Sequence, residues 1–95
     1  MFETDTGELC DMVVIENQRG LHARAAAKFV RAVENFRAEI IVMRDDLRVS
    51  GRSIMGLMML AASCGTRLKL IANGEDAEAA IEHLRQLVKR RFDED

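Results

Sequence analysis

Met12-Val13-Val14-Ile15-Glu16, Asn17-Gln18-Arg19-Gly20 and Leu21-His22-Ala23-Arg24-Ala25-Ala26-Ala27-Lys28-Phe29-Val30-Arg31 follow one another without a break, and their reading decides the fold. The first five residues are mostly apolar and β-branched, which favours a strand. The next four are turn formers that close it. From Ala23 to about Asn35, Ala26, Phe29, Val30 and Val33 recur at helical spacing against the polar Arg24, Lys28 and Arg31. The chain therefore passes from strand through loop into an amphipathic helix, and His22 falls at or beside that helix's N-terminus.

The rest of the chain extends this pattern. Glu39 to Arg44 and Leu47 to Ser50 are β-rich runs on either side of Asp45-Asp46, a tight hairpin. Gly51 breaks the pattern, and Ser53 is placed to cap a short helix running to about Ala62. Arg67 to Ala72 alternates, burying Leu68, Leu70 and Ala72 on one strand face, and Asn73-Gly74 ends it. From Asp76 to about Arg91, Ala77, Ala80, Ile81, Leu84, Leu87 and Val88 form a helical stripe, with Lys89-Arg90-Arg91 favourably placed at the C-terminal end. The order β-α-β-β-α-β-α predicts an α+β two-layer, open-faced sandwich with three helices on one sheet face. Periodicity alone leaves the strand order open. The 95 residues make one domain, 1–95, with the polar and acidic residues 1–9 expected to fray.

A histidine at a helix start is a place to hold a phosphoryl group. A neutral imidazole is nucleophilic and available near neutral pH. Once phosphorylated, it would present its anionic group to the unpaired amides of the helix's first turn and to the guanidinium of Arg24. Taken alone, such a histidine also fits an ordinary helix boundary. No serine, cysteine or acidic residue is motif-linked to His22 as a hydrolase would require. Nor is there a metal-ligand cluster or a nucleotide-binding glycine loop, so no cofactor and no metal is expected.

Composition limits the alternatives. With 48% of residues hydrophobic and 32% charged, the chain builds one modest core and leaves little room for a deep substrate pocket. Any chemistry should be shallow and exposed. No apolar run approaches membrane-spanning length, and there is no signal peptide or lipidation signature, so a soluble cytoplasmic protein with no direct membrane contact is expected. Cys10 and Cys64 have no metal or disulfide spacing and read as free thiols. The net charge is −2, but Arg19, Arg24, Lys28, Arg31, Arg48 and Arg52 lie around the two helix starts, which suits acidic protein partners. Four Phe and no Tyr or Trp argue against nucleic acid.

In the short helix, Leu57, Leu60 and Ala61 form one apolar stripe, and Ile54, Met55 and Met58 form another offset from it. Only one stripe can face the core. The first is assigned there, leaving Ile54, Met55 and Met58 as an adaptable apolar docking patch beside Lys28.

Gly20-Leu21-His22-Ala23-Arg24 together with Ser53-Ile54-Met55-Gly56-Leu57-Met58 resembles the histidine-containing phosphocarrier (HPr) family of the bacterial phosphoenolpyruvate-dependent phosphotransferase system, over roughly residues 11 to 91. The resemblance implies a four-stranded antiparallel sheet ordered 1-4-2-3. It implies a carrier rather than an enzyme: His22 would take a phosphoryl group from enzyme I and pass it to histidines of IIA-type proteins, with Arg24 stabilising it. Ser53 matches the family's regulatory phosphorylation site, the target of a serine kinase/phosphorylase. The short-helix patch would dock donor and acceptor, with the carrier working as a monomer. The family motif usually continues with proline where this chain has Ala25. Alanine adds an amide N–H near the phosphoryl position and removes a fixed dihedral. That version looks more like the nitrogen-related regulatory branch than the sugar-uptake branch. The rival reading is a regulatory module that docks partners without carrying phosphate; the presence of His22 with Arg24 favours the relay.

Overall fold

The computed structural model describes residues 1–94. The chain runs through β1 (Phe2–Glu3), β2 (Leu9–Val14), α1 (Ala23–Val33), β3 (Glu39–Arg44), β4 (Leu47–Ser50), α2 (Ile54–Met59), β5 (Arg67–Asn73) and α3 (Ala77–Lys89), followed by a single turn at Arg91–Asp93. All strand pairs are antiparallel, in the order β1-β2-β5-β3-β4.

This corrects the expectation of four strands ordered 1-4-2-3. The four anticipated strands keep that relative order as β2-β5-β3-β4, but a fifth, β1, joins the edge beside β2. Phe2 pairs with Cys10 and Glu3 with Leu9, so the first residues form a hairpin where fraying was expected. Its loop is tied by Thr4 N–H to Glu8 O (2.7 Å) and Gly7 N–H to Thr4 O (3.0 Å). A two-residue edge strand carries no alternation to read, which is why polar composition concealed it.

One sheet face supplies Val13, Ile15, Ile40, Val42, Leu68, Leu70 and Ala72 to the core, where they meet Ala26, Phe29 and Val33 of α1, Leu57 of α2, and Ile81, Leu84 and Val88 of α3. The opposite face carries no helix: Met12 and Val14 are exposed there, while the paired Cys10 and Ile71, beside β1, are buried. Period-2 alternation thus sends one strand face to the helices, and the other meets water except at the Cys10–Ile71 pair.

Two close backbone approaches position the loop before α1. Leu21 N–H donates to Ala62 O (2.8 Å), and Gly20, at φ +69°, lies so near that an added Cβ would stand 2.4 Å from the same oxygen. Only glycine fits there. The end of α2 is correspondingly short. The helix stops at Met59, and Ala61, expected in the core, turns left-handed (φ 51°) and outward while Ala62 takes the buried place. Arg44 Nη1 covers the freed carbonyls of Leu60 (3.0 Å) and Ala61 (2.7 Å), satisfying a helix end that has no partners of its own.

Candidate phosphoryl site at the start of helix α1

His22 is the N-cap of α1, in extended conformation (φ −76°, ψ 178°), and its own ring does the capping: Nδ1 accepts from Arg24 N–H at 3.3 Å. An Nδ1 that accepts is unprotonated, so the proton of the neutral ring lies on Nε2. Nε2 faces the carboxylate of Glu94, 3.0 Å from each oxygen. The two ring nitrogens therefore have opposite assignments. Nδ1 directs its lone pair at the helix N-terminus, and Nε2 is held by an acceptor from the other end of the chain.

Glu94 is itself held. Asn17, fully buried, donates through Nδ2 to Glu94 Oε1 (2.7 Å) and to Gly20 O (2.7 Å). The Asn17 amide, and after it the His22 ring N–H, keep the Glu94 carboxyl below the usual glutamate range against the opposing effect of burial. In the sequence Asn17 is visible only as a turn former, and the last helix is expected to end near Arg91. No local pattern marks either Asn17 or Glu94 as belonging to this site, because the Asn17–Glu94 and Glu94–His22 contacts are made only in the folded chain.

The segment carrying Glu94 folds back by an unusual route. Arg91, Phe92 and Asp93 all have positive φ (59°, 54° and 61°), and Phe92 is fully buried in the main core. Lys28 Nζ donates to Phe92 O at 2.7 Å, and Arg90 Nε to Asp93 Oδ1 at 3.0 Å. Lys28 is consequently half-buried against this segment, while Arg24 and Arg31 stay exposed, so the basic stripe expected on α1 is interrupted at its middle. Ala25 is buried in the core, and its amide is among the first-turn donors a helix leaves unpartnered.

Around His22, Arg19, Leu21, Met58, Ala61, Ala62 and Ser63 line a shallow, open depression. α2 stands on one side of it. Leu57 is completely buried, as expected, whereas Met55 is 77% exposed, with Ile54 and Met58 also exposed. Met59, not anticipated, widens this patch; it lies four residues after Met55 and is 67% exposed. Ser53 is the N-cap of α2, its Oγ accepting from Gly56 N–H at 2.9 Å. Among the described residues, no three His, Cys, Asp or Glu side chains gather in a metal-binding group. No described helix is long and apolar enough to cross a membrane.

The family described as PTS HPr component phosphorylation site matches residues 10–90, the span that contains both helix starts. The chain belongs to the HPr family of phosphotransferase-system phosphocarriers. It is 41% identical over 83 residues to the phosphocarrier protein HPr of Treponema pallidum, covering 87% of this chain and 94% of that one. It is 40% identical over 82 residues to the phosphocarrier protein NPr of Shewanella violacea, covering 86% and 90%. Its fold is similar to the crystal structure of HPr-C-His from Thermoanaerobacter tengcongensis, at a TM-score of 0.87 and 41% identity over 92% of this chain and 98% of that one. Near-equal identity to an HPr and an NPr leaves both branches of the family in view. The family match ends at residue 90, so Phe92 and Glu94 lie beyond it.

Proposed function

We propose that this HPr-family carrier accepts a phosphoryl group on Nδ1 of His22 from enzyme I, ultimately from phosphoenolpyruvate, and passes it to histidines of IIA-type proteins for sugar uptake or regulation. The observation that carries this reading is the division of labour in the ring: Nδ1 points at the first-turn amides of α1 while Nε2 is engaged by Glu94. When Nδ1 bonds to phosphorus, the Arg24 N–H it now accepts is released to the phosphoryl oxygens. The Ala25 amide and the exposed Arg24 guanidinium are the further donors at hand. Positive charge and helix amides stabilise the equatorial oxygens of a loose transition state better than those of the resting ester or amide. The phosphoryl group then passes to the acceptor histidine: the new N–P bond forms as the Nδ1–P bond breaks, and its electron pair returns to Nδ1, so the protein needs no further catalytic group.

Docking is assigned to Ile54, Met55 and Met58, with Lys28 contributing charge from the flank of α1. Met-rich surfaces repack against more than one partner, as a carrier serving both a donor and acceptors requires. The carrier works in the cytoplasm as a monomer. Ser53, acted on by a serine kinase/phosphorylase, is the regulatory position. A phosphate there would stay compatible with the α2 cap and place charge beside the apolar patch, blocking docking without melting the helix. A Ser53→Asp variant should therefore fold normally and dock IIA-type protein more weakly; unimpaired docking would remove this role.

The direct test is incubation with enzyme I, magnesium and phosphoenolpyruvate, followed by intact mass and phosphorus NMR. One acid-labile adduct, absent in His22→Ala, is expected. Its failure to form with enzyme I of the same organism would sink the relay and favour a docking module without phosphate.

A further inference from the structure

The ring of His22 is held from its far side by a carboxylate 72 positions away in the chain. We infer that Glu94, fixed by Asn17, is a positioning residue for His22: it pins the proton on Nε2 and thereby keeps Nδ1 as the only nucleophilic nitrogen. The inference rests on His22 being the phosphoryl acceptor and goes beyond it, because residues 91–94 lie outside the span the family matches.

Three observations carry it independently. Glu94 places both oxygens 3.0 Å from Nε2, and the His22 and Glu94 side chains keep only 18% and 19% of their exposure, so water competes weakly for either group. The carboxylate cannot swing away freely, because Asn17 Nδ2 binds Oε1 at 2.7 Å and is anchored through the same nitrogen to Gly20 O, two residues before the histidine. Finally, the chain accepts three successive left-handed non-glycine residues to bring Glu94 back, a conformation that Cβ sterics disfavour. Burial of Phe92 and the Lys28 bond to its carbonyl hold that detour closed.

An imidazole in water exchanges between two neutral tautomers, and each presents a different nitrogen to phosphorus. A carboxylate on one N–H selects the tautomer and fixes the ring plane, the role played by outer partners of metal-bound and catalytic histidines. The selected step balances simply. The Nδ1 lone pair forms the N–P bond, the bond from phosphorus to the donor breaks, and its electron pair leaves with the donor atom. The Nε2 proton stays where it is, shared with Glu94.

The test uses the full chain and potassium phosphoramidate, a small donor that needs no docking surface. Its phosphoryl group moves to the ring, and its nitrogen leaves as ammonia after taking a proton from water. Long-range proton–nitrogen correlation spectra report the His22 tautomer, and phosphorus NMR separates an Nδ1 from an Nε2 adduct. The wild type should show the Nε2–H tautomer and a single Nδ1 adduct. Glu94→Ala should show both tautomers, a second adduct on Nε2, and loading at Nδ1 slowed about tenfold, the lower end of what losing an outer partner costs. Glu94→Gln, which keeps the shape and a neutral acceptor, should fall between. An unchanged tautomer, or a shifted tautomer with one adduct at the wild-type rate, would overturn the inference. A wild type that never loads, yet shifts tautomer on losing Glu94, would instead overturn the carrier reading and leave the ring's orientation by Glu94 standing.

Discussion

The two helix starts of this molecule solve the same problem with different atoms. α1 is capped by the imidazole of His22, accepting from a backbone N–H two residues on at 3.3 Å; α2 is capped by the hydroxyl of Ser53, accepting from one three residues on at 2.9 Å. Both caps have extended backbone, and both turn an oxygen- or nitrogen-centred lone pair toward unpaired amides. The difference lies in what remains after capping. An imidazole has a second edge, and here Glu94 occupies it, so one nitrogen can cap, attack or carry while the other is held. A hydroxyl has one oxygen, already engaged by Gly56 N–H. On the function proposed for them, the first start would carry a labile N–P bond that forms and breaks, and the second a lasting ester that changes what docks beside it.

The sharpest way to break the comparison is to give α1 the cap of α2. His22→Ser retains a capping oxygen, and serine ranks among the best N-caps. Phosphoryl loading by enzyme I and phosphoenolpyruvate should vanish entirely, while the urea midpoint should move little. A phosphorylated serine in this variant would show that the helix start, rather than the imidazole, determines acceptance.

The next largest effect belongs to the segment that supplies His22 with its second partner. Phe92→Ala removes a fully buried aromatic ring and should cost about 3–5 kcal/mol in urea unfolding. Among the described residues, the Ser53 cap of α2 receives no side-chain bond from a distant segment. Gly20→Ala strikes the loop that holds α1's start against the end of α2, combining a positive φ of 69° with a Cβ 2.4 Å from Ala62 O. A loss of about 1–3 kcal/mol is expected, with a reduced loading rate because His22 follows directly.

How much of this was legible follows from the range of the interactions. β3, β4, β5 and all three helices could be read, because period 2 and period 3.6 are local signals and the hairpin at Asp45-Asp46 is nearly so. The motif placing His22 and Arg24 at a helix start was legible for the same reason. β1 was not, since two residues cannot display a period. The outward turn of Ala61 was not, because it depends on Ala62 meeting Leu21. Glu94 was least legible of all: it contacts a residue 72 positions away, after a left-handed path that no local propensity favours. Met59 could have been found, since it repeats Met55 at helical spacing on the same side.

Ser53→Ala tests the second cap at smaller scale. Loss of the Oγ acceptor leaves the Gly56 amide unpaired in a helix of only six residues, which should cost about 1 kcal/mol. Loading of His22 should be unaffected, as the two starts are stabilised separately. Ser53→Asp should recover most of the lost stability by replacing one capping oxygen with another. If both variants lower loading equally, the two helix starts are coupled and the distinction between them is weaker than their local geometry indicates.

The smallest effect is in pH, and its sign is fixed by Glu94. Its carboxyl is held below the usual glutamate range by Asn17 and then by His22, with a further contribution from the positive charge of Arg19. A group whose folded pKa is lowered stabilises the fold above its unfolded pKa, and that contribution is lost as pH falls through the folded value. Urea unfolding of the wild type should therefore lose stability on acidification below the ordinary glutamate range. Glu94→Gln should lose less over the same interval, the gap between the two curves closing toward low pH. The corresponding Ser53→Ala variant should retain the full wild-type slope, because nothing titratable is bonded to the α2 cap. Parallel wild-type and Glu94→Gln curves would mean that the carboxylate is not engaged in solution, and that α1, like α2, begins with a cap that has only one partner.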